Sequence, residues 1–141
     1  MEISDVKRQV REAMAAAKRR SAERRTRLDD ATRAWAVVLE RIVVPISHQV
    51  AQVLNSENIR LQVSTPGDRV LIASEARPDD YVELSLVAAG GDAAIMVRVN
   101  RTRESVTEER ELVRGAAAIE SLEEEQLLEA LLAGLAPWLA R

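Results

Sequence analysis

The chain of 141 residues is 47% apolar with a formal net charge of −3, which supplies a core and excludes wholesale disorder. It has no Cys and no Phe, one Tyr and two Trp, so disulfides, thiolate metal sites and cysteine nucleophiles are excluded, and Val, Leu, Ile and Ala must fill the interior. The small total hides a division. Residues 7–27 hold nine bases and two acids, nine minus two giving +7, while residues 104–129 hold nine glutamates and two arginines, two minus nine giving −7.

The first fifty-odd residues read as helix. No Pro precedes Pro45 and no Gly precedes Gly67, and Ser4 or Asp5 is placed to cap the start. Apolar residues recur at heptad spacing, with Ile3, Val10, Ala17, Ala31 and Val38 in one position and Met14, Leu28, Trp35 and Ile42 in the other. Val10, Met14, Ala17, Leu28, Ala31 and Trp35 are therefore the expected seam of a helix-mediated dimer. The same register puts Lys7, Ser21 and Arg24 on the seam, so it is weakest inside KRRSAERRTR, residues 18–27. Asp29 and Asp30 mark a possible break, with Asp30 capping a second helix; one helix or two stays open. The reading divides the chain into a basic helical arm, 1–29, and a small α+β domain, 30–141. A domain of that size has a radius of gyration of only about 13 Å, too small to cover the arm. The arm must then pack on another chain, fold back or fray, and its apolar stripe favours packing.

From Ala34 the helix becomes richly apolar, Pro45 is expected to kink or restart it, and Asn55 and Asn58 to end it. IRLQVS, RVLIASE, YVELSLVA and AIMVRVNRTR then alternate as strands, joined by TPGD, ARPDD and AAGGDA. Such short links imply antiparallel neighbours and a four- to five-stranded meander, with SVTEERELV read as an edge strand or a loop and the strand preferred. Ser121 and Glu124 form a capping-box pattern ahead of LEEEQLLEALLAGLAPWL, whose leucines make one broad stripe expected to lie on the sheet's apolar face.

Few residues offer chemistry. His48 is the sole histidine, and no G-x-S-x-G elbow or phosphate-cradling glycine loop occurs. Asp79–Asp80 reads as turn chemistry, and Glu123–Glu125 as acids favoured at a helix start. Tyr81, Arg98 and Arg101 are a bare possibility for a small-ligand site on the open sheet face. No catalytic, cofactor or metal-ligating set is expected. Lys18, Arg19, Arg20, Arg24, Arg25 and Arg27 spread around the helix rather than along one stripe. They form a basic surface for an acidic protein partner, or for the acidic region of this same sequence. Without interleaved aromatics or a groove-reading motif, nucleic acid is the alternative partner, bound through phosphate charge alone.

The expectation is thus a non-enzymatic interaction or adaptor protein acting as a helix-mediated homodimer. No run of 18 apolar residues suggests membrane insertion and the first residues lack a secretory pattern, so the expected compartment is the cytoplasm. The excess of Arg over Lys and the abundance of Ala match a GC-rich bacterial genome.

Overall fold

The computed structural model describes residues 1–140. One helical rod runs from Ile3 to Ser56, in three parts: α1 (Ile3–Val38), a π-helical turn (Leu39–Val43) and α2 (Val44–Ser56). It does not break at Asp29–Asp30. Between Ile3 and Val44 no residue is Gly or Pro, and Ala and Arg, which dominate there, are among the strongest helix formers. Asp30 is absorbed as a helical residue that accepts from Arg33 three positions on. Neither Ser4 nor Asp5 caps the start, since helix begins at Ile3 with Glu2 as an uncapped N-cap. Pro45 acts one turn earlier than expected. It has no N–H to donate, and its ring would clash with the carbonyl four residues back in an ordinary turn. The helix widens over Leu39–Val43, where the Val44 N–H donates to the Leu39 carbonyl five residues back. Asn55 stays inside α2, and the chain turns away from the rod two residues after Ser56, at Asn58, which adopts a left-handed φ of 65°.

Five antiparallel strands follow in the order of the chain: β1 (Leu61–Ser64), β2 (Val70–Ser74), β3 (Tyr81–Ala89), β4 (Asp92–Arg101) and β5 (Val106–Arg114). The meander is therefore five-stranded. β3 and β4 are the long central pair, in register from Tyr81–Asn100 to Ala89–Asp92. Gly90 and Gly91 make the two-residue link, both with positive φ (56° and 84°) as a tight hairpin of the right twist requires. β5 is an edge strand, and Glu108, Glu109, Arg110 and Glu111 put charge on both its faces, which discourages edge-to-edge pairing.

The sheet buries Val70, Ile72, Val82, Leu84, Ile95, Val97 and Val99 on one side. Against that side lie the domain half of the rod, a short helix α3 (Ala116–Glu120) and α4 (Glu124–Leu139). The two tryptophans, Trp35 and Trp138, are the largest fully buried side chains, and leucines 127, 131 and 135 complete the aliphatic centre. α4 approaches closely because Gly134 has no side chain: a Cβ there would meet Val82 Cγ1 at 3.3 Å and Val99 Cγ2 at 3.5 Å. The capping box does not form. Ser121 terminates α3, Glu123 is the N-cap of α4, and no side-chain cap bond is made.

An 18-residue window of the rod is, by length and composition alone, apolar enough to cross a membrane, contrary to the reading of the sequence. Only 28% of that window is buried, at residues such as Val38, Val43, Val50 and Ala51 that pack against the chain's own core.

Candidate interaction surface

Two adjoining stretches of one helix meet different surroundings. Ala31 is fully buried and Trp35 is 1% exposed, its indole Nε1–H donating to the Asp68 carbonyl at 2.8 Å; Leu28 is half-buried against the same core. These three belong to the contact between α1 and its own domain. They are unavailable to a dimer seam, because the β3–β4 sheet, the β1–β2 turn and α3 occupy the space a partner would need. The heptad pattern was real, but its second half is satisfied within the chain.

N-terminal to Leu28 the face is polar at Ser21 and Arg24, and the apolar stripe resumes at Ala17 without cover. Val10 and Met14 are 51% and 54% exposed, Ala17 is exposed, and Ile3 and Val6 extend the row toward the start. A step of 100° per residue brings Ile3, Val6, Val10, Met14 and Ala17 within one quarter of the helix circumference. The stretch before Arg27, roughly 24 residues, projects about 36 Å at 1.5 Å per residue. Arg27 is the anchor at its base, its Nε–H donating to the Gly91 carbonyl on the β3–β4 hairpin at 3.1 Å. Of the six basic residues singled out in the sequence, Arg27 is thus tied to the domain.

Lys18, Arg19, Arg20, Arg24 and Arg25 are all exposed, and none forms an ion pair among the described residues. The arm's single ion pair is local, Arg8 to Asp5 at 3.4 Å. Three of the nine glutamates in the acidic region pair with nearby arginines instead. Glu109 faces Arg98 at 3.9 Å, Glu104 pairs with Arg101, and Glu111 accepts from Arg114 Nε at 2.9 Å, a contact that raises the Arg114 pKa. The attraction between the two ends of the sequence is therefore not used within one chain.

The other sequence candidates are accounted for by structure. Asp80 is buried and accepts from the Thr102 N–H at 3.0 Å, while the Asp79 carbonyl accepts from Asn100 Nδ2 at 2.7 Å, so the pair ties a loop to β4. Tyr81 and Arg98 share the open face of the sheet, but Arg101, three residues beyond Arg98 in the same strand, falls on the opposite face. The trio does not converge. His48 is exposed on the flank of α2 that faces β1. No group of three or more carboxylate or imidazole side chains is placed to hold a metal ion among the described residues.

A second apolar surface was not singled out from the sequence. Between α2 and α4 runs a groove of about 340 Å³ lined by Ile46, Gln49, Val50, Val53, Leu54, Leu128 and Leu132. Val53 is 61% exposed, and Leu128 and Leu132 are well exposed too. The available signal was the width of the leucine stripe. Positions 127, 131 and 135 fill the core contact, leaving 128 and 132 outside it. No family model, no curated protein and no solved structure matches the chain.

Proposed function

We propose that the protein is a non-enzymatic interaction module that self-associates through its projecting basic helix. One observation carries the reading: the face that packs on the sheet from Leu28 onward is polar at Ser21 and Arg24 and then apolar again, uncovered, at Ala17, Met14, Val10, Val6 and Ile3. Helices in proteins owe most of their stability to tertiary packing of such a face. The arm therefore gains most from a second surface, and nothing in its own domain supplies one. Sedimentation equilibrium tests this. The full chain should sediment as a dimer and a chain beginning at Asp30 as a monomer; a monomeric full chain at about 100 μM would end the proposal.

The unpaired arginines at the arm's base favour a second role for the same element, capture of an acidic partner. Nucleic acid is one such partner, and it makes a separate demand: association with generic duplex or RNA falling steeply between about 50 and 200 mM salt. Charge reversal at Arg19, Arg20, Arg24 and Arg25 should abolish that binding. Binding that survives the reversal would remove phosphate recognition by the arm.

A further inference from the structure

The arm has a stripe without a cover, and the domain has a groove without an occupant. We propose that the two fit each other in trans: residues 3–17 of one copy lie in the α2–α4 groove of a second copy. This rests on the self-association proposed above and names the receiving surface.

Three features support it. The first is the rigidity of the rod. Val10 and Val50 lie on one continuous helix, on the order of 60 Å apart for 40 residues at 1.5 Å each. The arm of a chain cannot reach that chain's own groove, so an arm of the same sequence can enter only from another copy.

The second is complementarity of shape and polarity. Helix-in-groove recognition uses anchors spaced by three, four and seven residues on one face. Val6, Val10 and Met14, with Ile3 and Ala17 at the ends, have that spacing. The groove walls are Ile46, Val50, Val53 and Leu54 on one side and Leu128 and Leu132 on the other.

The third feature is charge, and it is asymmetric on both partners. Within residues 3–17 of the arm, Lys7 and Arg11 flank the stripe on one side, whereas Gln9, Ala13 and Ala16 flank it on the other, where the first base, Arg20, lies beyond the docked segment. In the groove, the α4 wall is bordered by exposed Glu125 and Glu129, which follow Leu128 and Leu132 around that helix. The α2 wall has no charged residue from Val44 to Ser56, and its one imidazole, His48, faces away toward β1. A basic-and-neutral helix meets an acidic-and-neutral groove, which also sets its orientation. If each copy gives its arm and receives the other's, the contact is a closed two-fold exchange.

The absence of native cysteine makes the test direct. Val10→Cys and Val53→Cys alter exposed positions, so neither should disturb folding. Mixed in equal amounts and oxidised gently, the two variants should give a 10–53 disulfide dimer at several times the yield of either variant alone. Peptide mass analysis identifies the linked pair. Alongside it, Glu125→Lys with Glu129→Lys should weaken self-association at least tenfold, and Lys7→Glu with Arg11→Glu, added to the same chain, should restore it. Val10→Cys linking to itself as readily as to Val53→Cys would overturn the groove and leave arm-to-arm dimerisation standing. So would a wild-type dimer that gives no 10–53 link. A wild-type monomer would remove both the groove and the reading beneath it.

Discussion

The two halves of the N-terminal rod obey the same pattern and have opposite fates. From Leu28 to Ser56 the apolar face lies on the sheet, α3 and α4, and Ala31, Trp35, Val38, Val43 and Val50 are buried. From Ile3 to Thr26 a similar face is presented to solvent, on a helix whose other sides are strongly basic. Periodicity shows that a helix has a side to cover and is silent on what covers it. The domain half is a structural element; the arm is an unfinished one, and that is where interaction is expected.

Substitutions should separate the halves. The largest effect is expected in the core: Trp35→Ala removes a buried indole and its hydrogen bond to Asp68, and should cost about 3–5 kcal/mol of domain stability in urea unfolding. Met14→Ala, at an equivalent seam position in the arm, should change domain stability by less than about 0.5 kcal/mol while weakening self-association. Equal effects of the two on unfolding would erase the distinction. Next in size, Gly134→Leu forces a side chain into the contact between α4 and Val82, and overpacking of that kind should cost roughly 1–3 kcal/mol. That loss should appear without change in the arm's behaviour.

Smaller effects sharpen the boundary between the halves. Arg27→Ala deletes the exposed bond to Gly91 and should cost about 0.5 kcal/mol, at the low end for a hydrogen bond, with faster amide exchange confined to the β3–β4 turn. Raising salt from about 50 to 500 mM shortens the screening length from roughly 14 to 4 Å. It should weaken self-association several-fold and leave the domain's unfolding midpoint nearly fixed. A dimer indifferent to salt would mean that the arm's charges take no part in the contact.

Much of the domain was legible in the residues. Alternation marked β1, β3 and the second half of β4, whereas β2 was legible only as a short apolar run bounded by turn residues. SVTEERELV was legible as a strand despite its charges, which occupy an edge. The failures share a cause in tertiary context. Heptad spacing placed Ala31 and Trp35 in an intermolecular seam, because a sheet and a second helix satisfy the same stripe equally well. Ser121–Glu124 matched a capping box, but Ser121 is held as the last turn of α3, a five-residue helix with no cap or periodicity to announce it. Pro45 was rightly read as a disturbance, though the helix accommodates it by a wider turn at Leu39–Val43 rather than by stopping. For the candidate surface, Val10, Met14 and the arginines were visible as types and spacing. The groove was not, because it is made by two helices separated by the whole sheet in sequence.

Amide hydrogen exchange across a dilution series tests the central claim most directly. At concentrations that favour assembly, residues 3–26 should be protected, and that protection should collapse on dilution while β3, β4 and α4 keep theirs. Arm amides that exchange freely at every concentration, or that stay equally protected in a dilute monomer, would contradict the claim that this helix is completed by a second molecule.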